Sequence, residues 1–101
     1  MTQERNMDRQ NDLVPGQIVR SKAGRDKDKV FLVLDVLDAK HVLVADGHYR
    51  TFEHAKKKRT RHLQPFNWVL PDFERVKNSR DFNNAKIRKL LREFQESYEE
   101  A

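Results

Sequence analysis

The feature that most constrains this chain is a short strand pattern that runs into a glycine-centred cationic turn and out again into an apolar run. Gly16-Gln17-Ile18-Val19-Arg20-Ser21 contains the β-branched pair Ile18 and Val19, and Lys22-Ala23-Gly24-Arg25-Asp26-Lys27-Asp28 reads as a loop. Val30-Phe31-Leu32-Val33-Leu34-Asp35-Val36-Leu37 follows, nearly continuous in apolar residues. β-Branched and aromatic side chains suit a pleated surface. An unbroken apolar run of this length predicts a strand buried on much of both faces, or one bent strongly around a small barrel. Asp35 is its single polar interruption.

The punctuation around this unit predicts more short strands. Pro15-Gly16 marks a turn before the first strand, and Asp38-Ala39-Lys40 marks one after the second. Residues 41–45 then read as a third strand, Asp46-Gly47 as a tight type I′ hairpin, and residues 49–53 as a fourth strand, together a meander. Residues 1–12 lack periodicity and apolar anchors and are expected to form a disordered arm, with order starting at Leu13. Residues 66–71 form an apolar link in which Trp68, with Phe73, is expected to cover an open end of the barrel. A base-stacking platform is the sharper reading of that cluster and core packing the favoured one, because its aromatics are not interleaved with cations.

From about residue 79 to residue 98 the period changes. Ile87, Leu90, Leu91, Phe94 and Tyr98 fall at i, i+3, i+4, i+7 and i+11, one stripe of an amphipathic helix, with Ser79, Asp81 and Asn83 competing as N-cap. The fold class is thus mainly β with a C-terminal α-helix. A small barrel over residues 13–66 is followed by a linker and helix over residues 67–101.

Composition limits what such a chain can be. With 101 residues, 37% of them charged, one small core is all it can support. The absence of cysteine removes disulfides, Cys-based zinc sites and thiol nucleophiles. The longest apolar run is too short to span a bilayer, and residues 1–12 have no apolar leader segment, so a soluble, cytoplasmic monomer is expected.

The net charge of +5 is unevenly spread. Residues 1–15 carry −1 and residues 66–101 balance, whereas residues 16–65 set twelve Lys and Arg against six acids, a net of +6. A basic domain between near-neutral flanks is the footprint of a protein that meets phosphates. Five of the six residues in Lys56-Lys57-Lys58-Arg59-Thr60-Arg61 are cationic. No core is expected to absorb such a run, so it is read as an extended segment closing the barrel, its charges turned to solvent or to a ligand. A solvated loop or edge strand kept soluble by its lysines is the plainer reading. Ligand contact is preferred because such charge density costs stability unless an anion relieves it. The helix has Lys86, Arg88, Lys89 and Arg92 in its first half and acids in its second, against its own dipole, which reads equally as a docked, solvated helix and as a second anion contact or partner-binding face.

Enzyme chemistry finds no support in the residues. His41, His48, His54 and His62 are scattered singly without the spacing of a metal site. Three glycines cannot build a P-loop or a dinucleotide fingerprint, and no serine sits in a nucleophile elbow. A non-catalytic chain with no cofactor and no metal is expected.

The segments from Gly16 to Lys27, from Phe31 to Asp38, from His41 to Gly47 and from Lys57 to Pro65 resemble the KOW motif of small SH3-like barrels in ribosomal proteins and transcription factors. More narrowly, they resemble the fourteen-e family of archaeal and eukaryotic large-subunit ribosomal proteins and bacterial KOW proteins of similar size. The resemblance covers residues 14–65. It implies an SH3-like barrel that binds rRNA or a ribosomal subunit, with contacts at Lys22, Arg25, Lys27 and the segment Lys56, Lys57, Lys58, Arg59, Arg61 and His62; Arg20 joins them as a candidate at the end of the first strand. Two features depart from the pattern: Asp28 stands where related motifs commonly have a second glycine, and the C-terminal helix lies outside it. Asp26 and Asp28 dilute the charge of the turn, so the lysine run is expected to do most of the holding.

The mechanism this implies is recognition of structured RNA by its phosphates and helix shape. If the run neutralises about four phosphates, log affinity should fall against log salt with a slope of roughly −3 to −4. The competing class is a protein-binding KOW module that docks on a ribosomal protein or transcription factor through the surface of residues 30–36 or through the helix. Duplex-DNA reading by the helix ranks last, because its regular stripe is spent on apolar packing.

Overall fold

In the computed structural model, which describes residues 11–100 with side chains as far as Tyr98, the apolar run becomes the central strand of a five-stranded antiparallel sheet. The strands are β1 (Gln17–Ser21), β2 (Val30–Val36), β3 (His41–Ala45), β4 (Lys56–Arg59) and β5 (Leu63–Val69), in the order β4-β3-β2-β1-β5. Two helices follow, α1 (Phe73–Lys77) and α2 (Asn84–Glu100).

Both faces of β2 are buried, which explains its lack of polar alternation. Phe31 and Val33 enter a cluster with Leu13, Val19, Val42, Val44 and Leu63 on one face. Leu32 and Leu34 enter a second cluster with Ile18 and Ala45, covered by Phe73, Phe82, Ile87, Leu90, Leu91 and Phe94. Fully burying a side chain of the Phe31 class is worth roughly 1.5–3 kcal/mol, so this strand anchors both cores. Asp35 finds its place through a bulge: the β2–β3 register shifts between Val33 and Asp35, which leaves the carboxylate exposed and returns Val36 to pair with Val42.

Several sequence expectations need correction. The sheet is not closed into a barrel, because β4 and β5 are its two edges. The fourth strand is the cationic run itself. Residues 49–53, expected as that strand, form a loop and the start of a 3-10 turn at Phe52–His54. Asp46-Gly47 accordingly does not make a two-residue hairpin. Asp46 Oδ1 instead accepts bonds from the backbone N–H of His48 at 2.9 Å and of Arg50 at 2.8 Å, a longer loop built on the Asp side chain. The apolar link is the second half of β5, whose pairing with β1 slips between Gln17 and Val19, so that residues 66–68 face a single residue, Ile18. Pro65 begins that slip on an edge strand, where a missing donor is tolerated. Trp68 and Phe73 cover no barrel end; they belong to the helix-side core, edge-on to Phe94 and Phe82 respectively.

Helix α2 starts at Asn84, later than residue 79. Of the three candidate caps Asn83 fills the role: its Oδ1 accepts from Lys86 N–H at 2.8 Å and its carbonyl accepts from Ile87 N–H at 3.1 Å. Phe82 before the cap and Ile87 four residues into the helix are both buried, a hydrophobic staple that fixes the entry angle. The expected disordered arm falls, for residues 1–10, outside the described residues. Asn11 is already tied in, donating to the Asp38 carbonyl at 3.0 Å and to Thr60 Oγ1 at 2.9 Å.

Candidate nucleic-acid interface

The cationic turn between β1 and β2 is a closed hydrogen-bonded unit. Ser21 N–H donates to the Lys29 carbonyl, Asp28 N–H to that of Ser21 and Lys29 N–H to that of Asp26, all within 2.9 Å. Gly24 has φ +79° and open space where a Cβ would stand, so its glycine answers to backbone conformation alone. Asp28, at the position noted above for lacking glycine, itself adopts φ +73°. The turn therefore needs the left-handed conformation there, and aspartate supplies it at a cost glycine would not incur.

Asp26 does not dilute the turn's outward charge, because it points in. It is 6% exposed, and its Oδ2 lies 2.7 Å from Lys56 Nζ and 3.7 Å from Lys58 Nζ, while its Oδ1 lies 4.0 Å from Lys29 Nζ. The hydrogen bond from Lys56 outweighs burial and holds the Asp26 carboxyl below its ordinary value.

Lys58 is the more unusual partner. It is 9% exposed and donates to the Oγ of buried Ser21 at 2.9 Å, and that hydroxyl donates in turn to the Ala23 carbonyl at 3.0 Å. Burial, with the neighbouring Lys56 charge, pushes the Lys58 ammonium below its ordinary value although Asp26 pulls the other way. At 3.7 Å Asp26 and Lys58 form an ion pair without a hydrogen bond. The expectation that no core absorbs the run is thus overturned for Lys58: one buried carboxylate and one buried hydroxyl receive it. These side chains join β4 to the end of β1 where no ladder does.

Period-2 alternation divides the remaining candidates. Lys56 and Lys58 sit opposite Val44 and Val42, on the face of the first cluster. Lys57 and Arg59, opposite Leu43 and His41, project from the other face and are exposed. Arg20, Lys22, Arg25 and Lys27 are exposed around the turn, and Lys22 N–H donates to the His62 carbonyl at 2.8 Å. That bond carries the 3-10 turn Thr60–His62, with exposed Arg61 and half-buried His62, alongside the Gly24 turn. The candidates thus form a rim of Arg20, Lys22, Arg25, Lys27, Arg61 and His62, a separate pair of Lys57 and Arg59, and the inward Lys56 and Lys58. On the rim side, Asp28 alone of the two acids of the turn remains exposed, with Arg20 NH1 4.0 Å away.

Sequence reasoning passed over two residues here. Lys29 Nζ stands 4.1 Å from the ring centroid of Tyr49, and Tyr49 is 69% exposed. The signal available was an aromatic residue just past a Gly-containing turn, read instead as the opening of a strand. The aromatic cluster of β5 is committed elsewhere: Phe66 and Trp68 pack on Phe94, and a groove of about 230 Å³ beside them has an uncharged lining. Among the described residues no helix is long and apolar enough to cross a membrane.

No family model matches the chain. It is similar to a protein of Bacillus subtilis (strain 168) named "Putative ribosome-binding protein YbzG", with 36% identity over 59 residues that span 58% of this chain and 80% of that protein. At that identity and coverage, the chain belongs to the same family as this Bacillus subtilis protein.

Proposed function

We propose that the protein is a non-catalytic RNA-binding module that associates with the ribosome, and that the rim around the Gly24 turn is its contact surface. The name of the Bacillus subtilis relative supports the ribosome as partner, which entails a cytoplasmic location. The strand-turn-strand of β1 and β2 in a five-stranded antiparallel sheet supports a KOW-like, SH3-like ancestry.

The observation that carries the reading is the inward turn of Asp26. By taking Lys56 and Lys58 as internal partners it removes an acid from the turn's exterior and leaves Arg20, Lys22, Arg25 and Lys27 facing solvent beside Arg61. Such a surface suits phosphates and gives little base discrimination. Lys57 and Arg59 are auxiliary, since they point away from Lys56 and Lys58, the side chains through which β4 meets the turn.

A protein-docking module is the competing class, and one of its two proposed surfaces is gone because β2 is buried on both faces. Gradient sedimentation of lysate with and without RNase separates the two. Co-migration with ribosomal subunits that RNase abolishes supports the RNA reading; co-migration that survives RNase and resists salt supports protein docking.

A further inference from the structure

The loop between β3 and the 3-10 turn at Phe52–His54 holds an aromatic side chain outward on a fixed backbone. Tyr49 is 69% exposed, above Tyr98 at 60%. A ring left in water without a packing role is ordinary on a mobile tip, but this loop is tied down. Asp46 and Gly47 N–H both donate to the Arg50 carbonyl, at 2.9 and 3.0 Å, and the Asp46 carboxylate accepts two more backbone bonds. Gly47 is pressed against α2, where a Cβ would come within 2.5 Å of the Asn84 carbonyl, and its own carbonyl accepts from Arg88 NH1. Arg88 thereby has a task that the reversed charge order of α2 left unexplained.

One of the ring's two neighbours belongs to the cationic turn and the other to its own loop. Lys29, the last residue of that turn, places its ammonium 4.1 Å from the Tyr49 centroid, and His48 stands edge-on to the ring at 4.4 Å. With both neighbours in place Tyr49 is still 69% exposed, so most of the phenol stands in solvent. A nucleotide carries a flat base and an anionic phosphate on one unit, and here a flat ring lies within 4.1 Å of an ammonium. Bases inside a duplex have both faces occupied, so only an unpaired base offers one to such a ring.

We propose that Tyr49 is a stacking platform for an unpaired base of the RNA whose phosphates the neighbouring cationic rim engages. The inference rests on the RNA-binding reading above and adds a preference for a single-stranded or looped segment beside the phosphate contacts. The β5–α2 groove is a poorer platform, because its rings pack on one another and its lining carries no cation.

The test uses two RNA probes, a 12-nucleotide single strand with a central 2-aminopurine and a fully paired hairpin of equal charge whose strands are joined by a non-nucleotide linker, so that it offers no unpaired base. Affinity and salt slope are measured for the full chain, Tyr49→Ala, Tyr49→Phe and a Lys22→Glu/Arg25→Glu/Lys27→Glu variant, with folding checked by Trp68 fluorescence. Stacking is worth about 1–3 kcal/mol per base. Tyr49→Ala is therefore expected to weaken single-strand binding by about 5- to 150-fold, to abolish quenching of 2-aminopurine, and to leave the salt slope and the hairpin affinity as they were. Tyr49→Phe should retain binding within about 2-fold, since stacking needs the ring and not the hydroxyl. Equal loss on both probes, a changed salt slope, or no loss at all overturns the proposal. If the unaltered protein binds and the charge variant weakens it while Tyr49→Ala does not, the stacking inference alone fails. If neither probe binds the unaltered protein, or the charge variant binds as well as it does, the RNA-binding reading fails and takes the inference with it.

Discussion

The carboxylate of Asp26 and the ammonium of Lys56 meet at 2.7 Å although 30 positions separate them in the chain, and Lys58 completes the group at 3.7 Å from the same oxygen. The contact ties the cationic turn to the edge strand β4 and decides which charges the molecule shows to its surroundings.

Removing the acid strands two cations. Truncating one partner of a buried ion pair costs about 3–5 kcal/mol, and Lys56 retains access to water, which lowers the figure. Asp26→Asn should therefore destabilise the fold by about 2–3 kcal/mol in chemical denaturation. A second change, Lys58→Met, should return part of that loss, since it removes the buried charge that Asp26 compensates. If the double variant is less stable than Asp26→Asn, Lys58 draws its support from elsewhere.

The same group sets a pH dependence with two arms. The folded-state pKa of Asp26 lies below its ordinary 3.8, so its contribution is present above that pH and is lost as pH falls through the folded value. Lys58 has its folded pKa below the ordinary 10.5, so between the two values the unfolded chain binds more protons and stability rises with pH. Denaturation midpoints across pH should show the acid arm shallower in Asp26→Asn and the alkaline rise reduced in Lys58→Met. Profiles parallel to that of the unaltered protein would contradict the assignment.

Asp28 adopts φ +73°, a conformation that costs an L-residue about 1–2 kcal/mol and an aspartate less. Asp28→Gly relieves that cost while loosening the unfolded chain, so stability should stay within about 1 kcal/mol of the original. Asp28→Val should lose about 2 kcal/mol. The glycine variant also strips the last exposed acid from the turn, and titration with purified ribosomes should find it binding more tightly at moderate salt. Thermal melts and that titration read the two effects separately.

Gly47 joins the Tyr49 loop to α2. An alanine there would set its Cβ 2.5 Å from the Asn84 carbonyl and 3.2 Å from Ile87 Cβ, at φ +78°. Overpacking and the left-handed conformation together should cost about 2–4 kcal/mol. Hydrogen exchange should report faster opening at the start of α2 than in β1 and β2; uniform change across the chain would place the strain elsewhere.

The parts of the fold legible in the sequence are those set by local pattern. Val30–Val36 and His41–Ala45 are legible as unbroken apolar, β-branched runs and Ile87 to Phe94 as a helical stripe, and they became β2, β3 and the buried face of α2. The fate of Lys56–Arg59 was not legible, because a strand of cations forms only when a distant acid and hydroxyl receive every second one. Asp26 and Ser21 lie far from it in sequence, and nothing local marks them as partners. The same blindness made Asp26 look like a diluent of the turn, when its carboxylate leaves the surface and sharpens the cationic rim. Tyr49 was hidden by a turn read too tightly: an Asp-Gly pair suggests a two-residue hairpin, and the Asp46 side chain built a longer loop instead.

The central claim is that the exposed rim around Gly24, and not the lysine run, holds RNA. The most direct measurement is the salt dependence of binding to purified ribosomes for the unaltered protein, for Lys22→Ala/Arg25→Ala/Lys27→Ala and for Lys57→Ala/Arg59→Ala. With about 0.7–0.9 of slope per phosphate neutralised, the first variant should flatten the log–log slope by about 2–3 and the second by no more than about 1. A slope unchanged by the first variant and flattened by the second would contradict it.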